Sequence, residues 1–260
     1  MKRQGRAINL TLYLVLLFLL GPFFIIFIAS FGEQSTLAFP PQGFSLAWFQ
    51  KVFQVRMFRD AFETSLQVAI AGTITALVMG VPAAYALVRF QFPGKDALEV
   101  LFSSPAIVPG LVVGLALLRF FVLVSGMPIL LGLYLGHTAI LFPYTVRVVS
   151  GSLRNLDPSL EEAAQSLGAS RLRSFLLVIL PNVRSGIVAA FILAFITSFN
   201  NVPISLFLTG PGVATLPIQM MLYMEYYFDP TIAALSTILI ALTVLIIQGM
   251  ERVLNISVQI

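Results

Sequence analysis

The sequence predicts an all-α integral membrane protein of about six transmembrane helices, and three observations carry that prediction. Of the 260 residues, 58% are hydrophobic and only 10% are charged, and the mean hydropathy is +0.97. Water-soluble domains do not reach such values. Apolar stretches close to the roughly 20 residues that cross a bilayer recur along the whole chain. Lys and Arg gather on one side of those stretches, the bias that orients spans in a membrane.

The first element follows MKRQGR and runs over residues 8–31. Its charge order is that of a secretory signal, but the apolar run is too long and lacks a small-residue cleavage pattern. It reads as an uncleaved first span with a cytoplasmic N-terminus. The stretch GEQSTLAFPPQGFSLAWFQKVFQVRMFRDAFE mixes Pro, Gly, aromatics and charges, as an external loop with a short surface helix would, and Trp48 fits an interfacial anchor. Further spans are expected over 64–88, 98–124, 129–149, 183–208 and 231–250, all in one transmembrane domain covering 1–260. Pro82, Pro105, Pro109, Pro143 and Pro203 within or near these runs predict broken or kinked helices whose freed carbonyls find partners in neighbouring protein.

Orientation follows from the basic residues. One side collects Lys2, Arg3, Arg6, Arg89, Lys95, Arg147, Arg154, Arg171, Arg173, Arg184 and Arg252, against Lys51, Arg56, Arg59 and Arg119 on the other. The richer side is cytoplasmic by this rule, so both termini face the cytosol. The net charge of +4 is accounted for by these borders and gives no reason to expect nucleic acid. With no cysteine there is neither a disulfide nor a thiolate metal site, and one histidine does not make a zinc site.

One charged island interrupts the apolar pattern, EEAAQSLGASRLRSFLLVILPNVRSG, in the loop 157–181 and just beyond. Asp157-Pro158 is a good helix start, with Asp as cap and Pro at the first position. Glu161 and Glu162 sit in or next to the first turn, where negative charge is favoured. Leu160, Ala163, Ala164 and Leu167 recur at three and four residues, giving one small, apolar face. Gly168 is a natural stop, and Ser170 a cap for a second helix that leads into the fifth span.

Glu162-Ala163-Ala164, three residues, Gly168, nine residues, Val178, one residue, Leu180-Pro181 resembles the signature loop of permease subunits of binding-protein-dependent ABC importers. Val178 stands where that family has Ile. The resemblance extends through nearly the whole chain, and the last third looks like the second permease of spermidine and putrescine importers. It implies the type I ABC importer permease fold, with the island as a cytoplasmic coupling helix in the groove of an ATPase. Leu160, Glu162, Ala163, Ala164, Leu167 and Gly168 would form that contact. The implied partners are two copies of the ATPase, a second homologous permease, an extracytoplasmic solute-binding protein and membrane lipid, in the bacterial cytoplasmic (inner) membrane. ATP and Mg would sit on the ATPase subunits, because this chain has no G-x-x-x-x-G-K-[ST] phosphate loop and carries no cofactor of its own.

The pathway is less legible. Asn200 and Asn201 beside Pro203 either repair helix hydrogen bonds freed by proline or line the passage with Ser205. His137 is read as an interhelical donor before a solute contact, and Tyr144, like Tyr85, as packing before lining. Gly110 and Gly114 suggest a close helix contact. Thr209, Tyr223, Glu225 and Asp229 lie in an external segment, read either as an outer gate or binding-protein contact or as an interfacial helix. The solute is a small organic molecule, a polyamine by resemblance. The neutral Asn200-Asn201 pair instead favours an uncharged, zwitterionic, opine-like or anionic compound. An ion- or proton-coupled carrier would need titratable groups inside the spans, which are nearly absent. An integral membrane enzyme would need a catalytic constellation, and neither H-E-x-x-H nor G-x-S-x-G occurs.

Overall fold

A computed structural model describes residues 2–103 and 108–254. Pro105, both chain ends, and the side chains of Lys2, Arg3, Arg6 and Arg252 lie outside what is described. The chain forms two compact units, one of residues 1–59 with 219–260 and one of residues 60–218.

In the first unit, α1 (Lys2–Ala29) precedes a short helix α2 (Ala47–Gln54), and the chain returns through the end of α12 (Leu216–Tyr226) into α13 (Thr231–Leu254). The apolar side chains of α1 are exposed almost throughout, Phe18 to 81%. Hydrocarbon chains suit such a surface as well as protein does, so a lipid-facing helix needs no apolar partner of its own. Helix α2 is tied down by polar contacts. The Trp48 indole donates to the Gly32 carbonyl at 2.7 Å, and Lys51 Nζ lies 2.6 Å from Asp229 Oδ2 and 5.0 Å from the centre of the Trp48 ring. Tyr223, buried in this unit, stacks near Phe58 and donates its hydroxyl to Asp229 at 3.1 Å.

The second unit is built around α6 (Ile129–Arg154), which packs against α10 (Arg184–Phe199). Its remaining elements are α3 (Arg56–Arg89), α4 (Lys95–Ser103), α5 (Gly110–Leu117) continuing as a π-helical stretch to Val124, and α7 (Ser159–Ser166). A bent segment follows, from α8 (Arg171–Ser174) through a π-helical stretch to α9 (Leu180–Asn182), and α11 (Pro203–Phe207) lies beyond α10. One cluster joins Ala84 and Leu87 of α3, Val149 and Leu153 of α6, and Ile179, Val183 and Ala190. Small residues set the spacing. A side chain at Gly114 would meet the Pro203 carbonyl oxygen at 2.7 Å, so the Gly110 and Gly114 face is a close contact of α5 with α11.

The expected spans are not equally continuous. Ile8–Ala29, Arg56–Arg89 and Ile129–Arg154 are each long and apolar enough to cross a membrane. Pro82 and Pro143 sit inside unbroken helices. The region predicted as 183–208 is instead broken once within its length, and a sharp bend marks its start. The Arg171–Asn182 and Arg184–Phe199 pieces meet at 70°, and the helix stops again at 200–202. Pro203 accounts for the break at 200–202, since it lacks the N–H that would continue the preceding helix and sits instead at the first position of α11. The region predicted as 98–124 is likewise divided, with α4 ending at Ser103 and α5 beginning at Gly110.

Candidate functional site: the Ser159–Ser166 loop helix and the broken span

The loop helix is assembled much as its sequence dictates. Asp157 Oδ1 accepts from the Ser159 N–H at 2.9 Å, and that backbone bond holds its carboxyl below the usual range. Such a cap satisfies one of the free donors at a helix start. Gly168 adopts φ +91 and ends the helix, with the Ala169 N–H returning to the Ala164 carbonyl at 3.0 Å. Only glycine takes that conformation without strain. Ser170 then caps α8, accepting from the Arg173 N–H at 3.3 Å.

Two faces of α7 have opposite fates. Leu160, Glu162, Ala163, Leu167 and Gly168 are exposed, Leu167 to 90%, and Ala164 is half-buried. The residue that turns inward is Glu161, which the sequence had marked only as a first-turn charge. Its carboxylate accepts from the Tyr85 hydroxyl and, at 3.2 Å, from the Gln165 amide, and its Oε2 lies 3.6 Å from Arg89 Nε. Arg89 also donates from Nη2 to the Leu156 carbonyl at 2.9 Å, just ahead of the helix. Tyr85 is in turn packed by the Phe175 ring, centroids 4.7 Å apart. So Glu161 rather than Glu162 is the anchoring acid. Arg89, which charge bias alone makes an orientation residue, is its counter-ion.

The second constellation surrounds the break at 200–202. His137 of α6 is fully buried, with Nδ1 2.8 Å from Ser198 Oγ and Nε2 3.1 Å from Ser205 Oγ. A neutral imidazole has one donor and one acceptor, so it satisfies both hydroxyls. Ser198 belongs to α10 and Ser205 to α11, so the ring bridges the two halves of the interrupted span. Asn201 Oδ1 accepts from the Ile204 N–H at 3.0 Å, and Asn200 Nδ2 donates to the Ile196 carbonyl at 3.1 Å. The Asn201 amide thus supplies an acceptor at the start of α11, whereas Asn200 adds a second donor to a carbonyl that already takes its own backbone N–H. Thr209 donates its hydroxyl back to the Ser205 carbonyl. Tyr144 is half-buried on α6.

The external candidates fall apart by exposure. Tyr223 and Asp229 are engaged with each other and with Lys51, whereas Glu225 is exposed. Burial acts on the Asp229 carboxyl to raise its pKa, but hydrogen bonds from Lys51 and Thr231 outweigh it and hold the group below the usual range.

Long apolar helices, a polar bridge inside a broken span and a small loop helix with one exposed apolar face together define a multi-pass membrane protein. The family described as the inner membrane component of binding-protein-dependent transport systems matches residues 72–259, and the chain belongs to it. It is therefore a non-catalytic permease subunit of an importer of that type, in the inner membrane. The putrescine transport system permease protein PotI of Escherichia coli strain K12 is 33% identical over 230 residues, covering 86% of this chain and 82% of that protein. The spermidine/putrescine transport system permease protein PotC of the same strain is 28% identical over 239 residues, covering 89% and 88%. A bacterial ABC transporter involved in import of the acidic polysaccharide alginate has a chain of the same fold, with TM-score 0.73 and 17% identity over 95% of this chain and 96% of that one. The methionine ABC transporter MetNI contains another, with TM-score 0.64 and 20% identity over 78% and 96%.

Proposed function

We propose that this chain forms one half of a transmembrane pathway with a second, homologous permease, and that α7 is the coupling helix docking on one of two ATPase subunits. An external binding protein delivers the solute, and ATP and Mg are held by the ATPases. Both termini and α7 face the cytosol, as the Lys and Arg bias requires, within a single permease domain of about six spans. The observation that carries the reading is the exposed face of α7. Leu160, Ala163 and Leu167 leave apolar surface uncovered beside the exposed Glu162, on a helix whose other side is already pinned. Small residues allow close approach, and an apolar patch free of charge is what the buried core of an interface is made of.

The test is co-purification of the ATPase with this chain and its companion permease. Leu167→Glu should leave insertion intact and release the ATPase, with uptake into proteoliposomes falling to background. Normal ATPase retention in that variant would sink the docking reading.

The solute class proposed is a small polyamine, following the names of PotI and PotC. A second reading, an uncharged, zwitterionic or anionic organic solute, is favoured by Asn200 and Asn201 and by the scarcity of acids inside the protein. Among the described residues Glu161 and Asp229 have side chains only 12% and 11% exposed, and Arg89 and Lys51 already face them. Uptake of labelled putrescine, competed by neutral and anionic amino-acid derivatives, separates the two. Competition by the neutral compounds alone would overturn the polyamine assignment.

A further inference from the structure

We propose that Glu161 is a positioning residue that ties the coupling helix to the end of α3, so that displacement of α7 is delivered to that span through a buried charged contact. This rests on the docking reading of α7. The helix has eight residues, too few to hold a position by packing of its own. Covalently, α7 continues through Gly168 into α8, and a glycine at positive φ makes a compliant joint. Besides its packing against α8 and the stretch 175–179, α7 is held by polar side chains from the last turn and a half of α3. Tyr85 donates to Glu161, Arg89 faces the same carboxylate, and Arg89 Nη2 holds the Leu156 carbonyl at the helix entrance.

The stiffness of the tie comes from burial. The side chains of Glu161 and Arg89 are each 12% exposed, and Arg89 Nε is buried without a hydrogen-bond partner. Pulling the carboxylate away would strand a guanidinium in a poorly solvated place, which costs far more than parting an exposed pair. The elements therefore move together. The 3.6 Å separation of Arg89 Nε and Glu161 Oε2 is about 0.8 Å longer than a charge-assisted hydrogen bond, so a small shift of α7 toward α3 would close it.

The experiment uses the complete importer in proteoliposomes and reads solute moved per ATP hydrolysed, together with ATPase retention. Glu161→Ala should retain the ATPase and lower that ratio about tenfold. Glu161→Gln, whose amide oxygen still accepts from Tyr85, should recover part of it. An unchanged ratio in Glu161→Ala with the ATPase bound overturns the tie and leaves the docking reading standing, whereas ATPase retention in Leu167→Glu overturns docking itself. Should Glu161→Ala shed the ATPase, Tyr85→Phe decides, because it alters the span and leaves α7 intact. A ratio lowered about threefold supports the tie, and a wild-type ratio refutes it.

Discussion

Two interruptions in the same unit are bridged by opposite chemistry. At 200–202 the halves of a broken span are joined by His137, with Ser198 on one ring nitrogen and Ser205 on the other. At the loop before α7 the join is ionic, Glu161 against Arg89 with Tyr85 and Gln165 in support. The difference follows position along the spans. Within an apolar span an ion has no water to fall back on, so a bridge of hydroxyls and one imidazole holds without net charge. At the end of α3 a carboxylate and a guanidinium, each 12% exposed, can be held because each is the other's counter-ion and Tyr85, Gln165 and the Leu156 carbonyl supply their hydrogen bonds. One bridge suits a fixed element, the other an element that moves.

The largest expected effect is at the neutral bridge. His137→Ala removes both bonds, leaves Ser198 and Ser205 buried without their partner, and opens a cavity beside Leu133 and Leu141, so unfolding of the purified protein in detergent should become easier by about 3 kcal/mol. His137→Gln, which can still donate and accept, should recover part of the loss. A melting temperature unmoved by His137→Ala would mean the two halves of the span are held by packing alone.

Next comes the packing that seats α11. Gly114→Ala places a methyl group against the Pro203 carbonyl and the Phe207 ring, and backbone cannot swing aside as a side chain can. A loss of about 2 kcal/mol is expected by the same denaturation measurement. Asn201→Ala should cost about 1 kcal/mol, the usual value of a lost cap, because the Ile204 N–H then has no side-chain acceptor. If Asn201→Ala instead left stability untouched and altered solute preference, the amide would belong to the pathway and not to helix repair.

The helix of the loop was the most legible part of the sequence. Cap, apolar face and glycine stop each depend on neighbours within a turn, and Asp157, Gly168 and Ser170 do what those positions imply. The partner of Glu161 was hidden because local pattern places it on the polar face, where a solvated acid is the ordinary outcome. Only the tertiary path brings Tyr85 and Arg89, more than 70 residues earlier, to that face. Ser198 escaped notice for a similar reason. A serine in an apolar helix is common, and its pairing with His137 is a matter of helix phase between two elements. The break at 200–202 was foreshadowed by Pro203 and the bend at 182–183 was not, while Pro82 and Pro143 look the same in sequence and stay within continuous helices.

The smallest effect sharpens the comparison from outside both bridges. Lys51 and Asp229 form a close pair at 2.6 Å, with the carboxylate 11% exposed but the lysine side chain 40% exposed, so water screens one partner and Lys51→Met should cost about 1 kcal/mol. The hydrogen bond to Asp229 raises the lysine pKa above its ordinary value, with burial acting against it, and the carboxyl is held below its own ordinary value. The carboxyl's contribution is present above the unfolded carboxylate range and is lost as pH falls through its lowered folded value. The lysine's is present below its unfolded value and is lost as pH rises through the raised one. Between roughly pH 5 and 9 neither group changes charge, so this contact should be flat with pH. The difference in stability between wild type and Lys51→Met should therefore stay constant across that range and shrink on added salt. A salt-insensitive difference of several kcal/mol would place this pair in the same regime as Glu161 and Arg89, and burial would no longer account for the contrast between them.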